Sequence, residues 1–479
     1  MQSVLIGVAA YILVQFAIGV AVSRRIASET DYLLAGRGLG LAIAAFSIFA
    51  TWFGAETIVG AAGAIYTDGL SGGSADPFGY GLCLAVAGIA VAAPLWRRRY
   101  TTFGDLFRDR YSPGVERLAV VLMVPTSVIW AAAQIRAFGQ IVSASSALEV
   151  EVAITAAAVV VVLYTVIGGL LADAITDLVQ GVAVILGLVL LLALVANANG
   201  GVLGIGAMVE PERLRLLAHA EQSWLELAEE WAVPVFGSLL AVELLSRIMA
   251  CRDPATARNA TLAGAGLYVT VGSIPVLLGL VGPALAPGLE EPEQLIAVLA
   301  REHLATFAYV LFAGALISAI LSTVDSALLA GAALVSHNVV VPLAPRLSER
   351  GKVRAARAGV VVLGLLAYVI ALHADGIYTL VETASAFGSA GIFVVGMFGL
   401  FARVGGAPSA YAALAVGMAV WAAGEYALGW RTPYLASLAA ALAAYLGAAL
   451  VFRPGGAPLR APAVIEGFDL PGEPPRRAG

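Results

Sequence analysis

The chain has 479 residues, 60% of them hydrophobic and 12% charged, too few charges to cover the surface of a soluble domain. Its net charge of −5 argues against a nucleic-acid partner. The four histidines have no metal-ligand spacing, and no phosphate loop, nucleophile elbow or close cysteine pair is present, so nothing resembles an enzyme active site.

A membrane-spanning helix needs about 20 apolar residues. Thirteen such runs follow one another, here called spans 1–13: 3–23, 41–65, 77–96, 116–143, 150–168, 173–197, 228–250, 260–283, 304–337, 354–373, 377–402, 407–428 and 432–452. The expected fold is therefore all-α, a polytopic membrane protein in contact with the lipid bilayer. Span 1 has no basic residue ahead of it and no small-residue cleavage site, so it reads as a retained helix.

Basic residues set the direction. Arg24, Arg25 and Arg37 follow span 1, six arginines from Arg97 to Arg117 follow span 3, and Arg247, Arg252 and Arg258 flank the turn after span 7. Five from Arg346 to Arg357 follow span 9, Arg403 follows span 11, and Arg453, Arg460, Arg476 and Arg477 follow span 13. These make 22 of the 27 basic residues; the opposite loops hold only Arg213, Arg215, Arg301 and Arg431, and Arg136 lies inside span 4. The pattern places the N-terminus outside and the C-terminus in the cytoplasm, in a bacterial inner membrane. Cys83 and Cys251 then lie toward opposite sides and do not pair.

The expected organisation is a leading helix and loop over 1–40, a ten-span core over 41–402, two further spans over 403–452 and a Pro/Gly-rich disordered tail over 453–479. The loop 198–228 is expected to carry short surface helices. Within the core, 41–197 and 228–402 read as two five-span halves. Span 2 holds Phe53-Gly54 and span 7 holds Phe236-Gly237, and the third span is the longest in each half. An odd number of spans per half makes the repeats inverted, with broken helices framing a site near the midplane.

Ser322 and Thr323 sit in mid-span 9. Hydroxyls there either bond the carbonyl four residues back or, beside free carbonyls at a broken helix, suit a small hard cation. Ala319, Ser322, Asp325 and Ser326 share one stripe. A carboxylate at the depth of Asp325 costs about 2.5–3.5 kcal/mol on insertion scales and needs a partner or an ion. Asp173, Asp177 and Gln180, at i, i+4 and i+7 of span 6, are either solvated at the interface or part of a second cation site. Trp52 and Trp130 lie too deep for an interfacial belt. Gln134 is one turn from Trp130, whereas Arg136 turns about 120° away and is expected to pair with a carboxylate.

Three blocks carry a family resemblance. Asp31-Tyr32-Leu33-Leu34-Ala35-Gly36-Arg37 resembles the D-Y-x-x-A-G-R motif of the sodium:solute symporters. Tyr164-Thr165-Val166-Ile167-Gly168-Gly169 with Thr176-Asp177-Leu178-Val179-Gln180 resembles that family's Y-T-x-x-G-G…T-D-x-x-Q block, and residues 318–326 resemble its sodium-site helix. Ala50-Thr51-Trp52-Phe53-Gly54, Gly79-Tyr80 and Trp130-Ala131-Ala132-Ala133 are most similar to the high-affinity choline transporter branch. The resemblance covers about residues 29–400. It implies a LeuT-type fold with ten core helices and Na+ driving uptake of a small organic solute.

For the sodium site the resemblance implies backbone oxygens of Ala50, Phe53 and Ala319 and the hydroxyls of Ser322 and Thr323. For a second site it implies Asp177, Asp325 and Ser326. Trp52, Tyr80 and Trp130 match positions whose aromatic faces hold an ammonium group, and Glu56, Gln134 and Glu243 complete the candidate substrate set. The chain departs from the choline branch at Ala241 and Val381, where that branch has tryptophans, and has Glu56, Glu243 and Glu382 nearby. Fewer aromatics and more carboxylates point to a polar amine, cation or zwitterion, as cargo and leave choline itself open. The expected partners are that solute and sodium, with no obligate protein partner. A membrane solute sensor and a proton-coupled carrier remain alternatives; the lack of a kinase domain disfavours the sensor.

Overall fold

The computed structural model describes residues 26–73, 75–145, 148–216, 223–374 and 376–452, with 13, 14, 17, 18, 20–22 and 24 before them. Most of span 1 and the tail 453–479 lie outside the described residues. The rest is helical, with a single isolated bridge pairing Leu39 with Cys251. Eight helices are long and apolar enough to cross a membrane, and three bent pairs bring the number to eleven.

One of the eight, Val150–Ala198, has 49 residues. At 1.5 Å per residue it would run about 74 Å, more than twice a hydrocarbon core of about 30 Å. Gly169 divides it, with φ 65° and ψ 175°, a conformation open to glycine and closed to residues with a Cβ. A Cβ there would also strike Tyr32 at 2.8 Å. Spans 5 and 6 thus meet directly at Gly169, and twelve spans are described.

Span 2 is Leu41–Trp52 followed by Glu56–Asp68 at 54°, and span 7 is Trp224–Gly237 followed by Val242–Ala250 at 40°. The first bend falls at Phe53-Gly54 and the second directly after Phe236-Gly237, over residues 238–241. Span 11 bends by 41° between Ala386 and Ser389, at a third such pair, Phe387-Gly388, which the sequence reading passed over. The remaining spans are Ala75–Arg97, Pro113–Ser143, Pro254–Leu285, Thr306–Leu343, Glu349–His373, Ala407–Leu428 and Pro433–Val451. In the loop before span 7, short helices form at Gly201–Ala207 and Pro211–Leu214.

Span 2 packs against spans 6, 8 and 9, and span 9 against spans 4 to 6 and the second half of span 7. Spans 12 and 13 pack on each other and on the second half of span 11. Apolar side chains cover the periphery, with Leu186 64% and Ile89 72% exposed, an arrangement stable in lipid and not in water. The protein is a multi-pass membrane protein.

The loops rich in arginine define a basic end. There Ser28 and Asp31 cap the helix Glu29–Leu34 reciprocally. Burial opposes ionisation of Asp31, but the Ser28 hydroxyl and the Ala27 and Ser28 N–H groups outweigh it and hold the carboxyl below its ordinary range. Arg37 donates to the carbonyls of Met249, Arg99 and Tyr100 at 3.2, 3.0 and 2.8 Å. The D-Y-x-x-A-G-R motif is therefore a clasp that joins spans 2, 3 and 7. Cys83 and Cys251 are buried and unpaired.

Candidate functional site

Two buried polar clusters flank a group of aromatic rings. The first lies toward the basic end, where spans 2, 6, 7 and 9 converge. Asp177 on span 6 accepts from Ser47 on span 2 at 2.6 Å and from Ser322 on span 9. Asp325 accepts from Thr165 on span 5. Asp173 pairs with Arg247, which also donates to Ser326; Ser326 lies 3.3 Å from Asp173 and 3.4 Å from Thr51.

Two expectations are corrected here. Arg247 was counted with the loop arginines, yet it is fully buried, because it sits on the core face of the amphipathic half-helix Val242–Ala250 and finds a carboxylate there. Asp173 and Asp177 are buried as well, which removes the solvated reading of both. Asp173 is the arginine's partner, which leaves Asp177 turned toward the hydroxyls. The acceptors Asp173 Oδ1 and Gln180 Oε1 are buried without a hydrogen-bond partner.

The Thr323 hydroxyl lies 3.3 Å from the carbonyl oxygens of both Ala50 and Ala319. One hydroxyl satisfies one acceptor, so the second carbonyl retains capacity. Phe53 leaves helical geometry, with φ −95° and ψ 66°, turning its carbonyl from the helix direction. Three of the five expected oxygens converge, Phe53 adjoins them at the break, and Ser322 is turned to Asp177. The donor set is oxygen throughout, which suits a hard cation such as Na+ and not a transition metal. Among the described residues no group of three His, Cys, Asp or Glu forms a metal-binding cluster.

Trp52, Tyr80 and Trp130 come together from spans 2, 3 and 4. Their ring centroids lie 5.5 Å apart for Trp52–Tyr80, 6.4 Å for Trp52–Trp130 and 6.1 Å for Tyr80–Trp130. Tyr80 Oη is 3.0 Å from Ser385 Oγ, which accepts from Ser238 at 3.2 Å. The trio is thereby tied to the breaks of spans 7 and 11.

The second cluster is one turn away, toward the opposite end. Gln134 donates to Glu56 Oε2 at 2.5 Å and accepts from the Ala55 N–H at 3.0 Å. Asp76 accepts from Thr57 at 3.0 Å and Tyr268 at 2.9 Å. Glu56, Asp76, Gln134 and Tyr268 are all buried, and Glu56 Oε1 has no partner. Glu243 stands apart from this cluster. It accepts from Ser127 at 2.6 Å and borders a pocket that Trp130 and Ser385 also line. Arg136 donates to the Ala371 carbonyl at 3.1 Å; among the described residues no carboxylate lies within ion-pair contact of it, and its charge acts at longer range on Glu293. Glu382 borders a roomier pocket together with Asp76 and Tyr80.

Comparison with known proteins decides the family. The model of the sodium:solute symporter family matches residues 32–417. The chain belongs to the sodium:solute symporter family. It is 27% identical to a high-affinity choline transporter of Drosophila melanogaster over 74% of this chain and 59% of that protein. It is 26% identical to an osmoregulated proline transporter of Bacillus subtilis over 81% and 82%. The chain thus spans about three-fifths of the length of the fly choline transporter it matches. A Na+-coupled sialic acid symporter in a substrate-bound outward-open state superposes with a TM-score of 0.82 at 17% identity, covering 94% of this chain and 98% of that one. A nucleobase-cation-symport-1 family transporter gives 0.62 at 17%, covering 87% and 93%. The fold of this symporter-family chain is LeuT-type.

The family motifs now have local causes. Tyr164 meets Thr176 at 2.8 Å, Thr165 meets Asp325, and Gly169 lets Tyr32 approach. Ser47, Asp76, Thr165, Arg247, Tyr268 and Ser385 were not anticipated at the site. Asp76 had a signal, a carboxylate at the head of an apolar run; a tyrosine such as Tyr268 in mid-span carries none.

Proposed function

We propose that the protein is a sodium-coupled symporter that imports a small organic cation or zwitterion bearing an amino or quaternary ammonium group. The reading rests above all on the convergence of Thr323 Oγ1 with the Ala50 and Ala319 carbonyls, two residues before the break of span 2 and next to Trp52. A cation there would tie span 9 to the unwound segment of span 2, so that sodium binding orders the residues that face the cargo. The relatives named as choline and proline transporters support an amine-bearing solute. Asp177, Asp325 and Ser326, with the unpartnered Gln180 Oε1, would hold a second sodium ion. The basic end is the cytoplasmic side of a bacterial inner membrane by the distribution of arginine, with the N-terminus outside and the C-terminus inside. Residues 41–402 form the transporting core.

The test is uptake of radiolabelled amines into proteoliposomes. Uptake is expected under an inward sodium gradient and lost when N-methyl-glucamine replaces sodium. Uptake driven by a pH gradient with no sodium present would establish the proton-coupled alternative instead. The Ser322→Ala/Thr323→Ala double variant should raise the sodium concentration for half-maximal uptake, and an unchanged value removes both residues from the site.

A further inference from the structure

We propose that Glu56 occupies, from within the chain, the anion seat at the break of span 2, so that the cargo is an ammonium compound without a carboxylate. The inference deepens the organic-cation reading above and rests on it. In carriers with broken helices, the N-terminus of the half-helix faces the anionic group of the substrate, because its backbone N–H groups are unsatisfied and its dipole end is positive. Here that half-helix is Glu56–Asp68, and its first residue is itself an acid.

Backbone donors at this end are directed at groups of the chain itself. The Ala55 N–H goes to Gln134 Oε1 at 3.0 Å, and the N–H groups of Gly54 and Glu56 face the Glu56 carboxylate. Gln134 Nε2 holds Oε2 at 2.5 Å. The packing leaves no room for a second anion. A Cβ on Gly54 would come within 2.7 Å of Glu56 Oε2, 2.8 Å of Gln134 Oε1 and 2.9 Å of Thr323 Oγ1. Glu56 Oε1 remains, buried and unpartnered. A buried carboxylate oxygen without a donor carries a large desolvation cost, which a ligand N–H or O–H would offset.

Three polar residues of this cluster stand four positions from the three aromatic residues in the sequence. Glu56 follows Trp52, Gln134 follows Trp130, and Asp76 precedes Tyr80. On the unbroken helix Pro113–Ser145, Gln134 lies one turn, about 5–6 Å, beyond Trp130, and its bond to Glu56 Oε2 brings that carboxylate next to the rings; non-helical backbone at Phe53 and Asp76 intervenes in the other two pairs. The aromatic rings thus have a carboxylate beside them. An ammonium group fits the rings and its donor end fits Glu56 Oε1. A carboxylate in the same place would face Glu56 and Asp76 at close range with no guanidinium paired to either among the described residues.

Choline and glycine betaine discriminate directly, since both carry a trimethylammonium group and they differ in a hydroxyl against a carboxylate. Purified full-length protein at saturating sodium is titrated with choline, ethanolamine, glycine betaine and proline, and binding is followed calorimetrically. Choline or ethanolamine is expected to bind at least tenfold more tightly than betaine and proline, and Glu56→Gln to bring the ratio within about threefold. Betaine or proline binding wild type as tightly as the carboxylate-free amines overturns the proposal, whether or not the variant folds; so does a ratio unchanged in Glu56→Gln. If none of the four binds, the organic-cation reading itself falls, and this inference with it.

Discussion

The two buried clusters carry the same formal charge and differ in their walls. Toward the basic end, Asp173, Asp177 and Asp325 face one arginine, Arg247, three negative charges against one positive, leaving −2 if all ionise. Toward the opposite end, Glu56 and Asp76 leave −2 with no basic partner among the described residues. The first pair of charges is surrounded by hydroxyls, carbonyls and an amide oxygen, with distances such as 2.6 Å from Ser47 to Asp177; a bare, hard cation fits such a shell. The second is next to three aromatic rings, whose faces favour a large, weakly hydrated cation. Equal charge therefore does not mean equal ligand. On the proposed reading, what separates the sodium site from the amine site is what surrounds the carboxylates.

Arg247 is the sharpest point of difference, and its removal should have the largest effect. Breaking a buried ion pair by deleting one partner costs about 3–5 kcal/mol. Arg247→Leu strands Asp173 and should lower the melting temperature of the detergent-solubilised protein by many degrees. Adding Asp173→Asn should recover part of the loss. A single variant that melts with the wild type would show that Arg247 does not neutralise this cluster.

What the sequence disclosed follows the range over which each signal acts. Spans 2 to 13 and the breaks near Gly54 and Gly237 are local properties of apolar runs, and the described residues form helices and bends there. Phe387-Gly388 was equally legible, since it repeats the Phe-Gly pairing of the other two breaks. Arg247 was not legible in the same way. It lies near the end of a span, where an arginine can reach water or turn inward, and only Asp173, 74 residues away, settles which. Tyr268 and Ser385 acquire meaning from Asp76 and Tyr80 across the bundle, so no periodicity within their own spans marks them. Asp177 was favoured over Asp173 on family grounds; the structure adds that Asp173 is paired with Arg247.

A smaller effect is expected from Asp177→Asn, which removes charge from the sodium-side cluster and leaves its shape. The half-saturating sodium concentration for uptake should rise at least tenfold, equivalent to about 1.4 kcal/mol, and the sodium Hill coefficient should fall toward one. Amine affinity measured at saturating sodium should stay within about twofold of wild type. A wild-type coefficient already at one would remove the second ion; a parallel loss of amine affinity would mean that the two clusters do not act separately.

Tyr268→Phe probes the opposite cluster with the smallest change. The Tyr268 hydroxyl lies 2.7 Å from Thr57 Oγ1 and 2.9 Å from Asp76 Oδ1, and the ring also packs edge-on against Phe53 at 5.9 Å. Phenylalanine keeps the ring and deletes only the hydroxyl. One hydrogen bond is worth about 1 kcal/mol net, or about fivefold in binding. Asp76 would then depend on Thr57 alone for its orientation, and amine affinity should drop by about that factor. The sodium requirement should not move, because Phe53 keeps its ring contact and its place at the break. The measurement is a pair of titrations on one preparation, amine at saturating sodium and sodium at saturating amine. A shift confined to the amine curve supports the division of labour between the clusters; a shift confined to the sodium curve would assign Asp76 and Tyr268 to the ion and would dissolve the distinction drawn between the two walls.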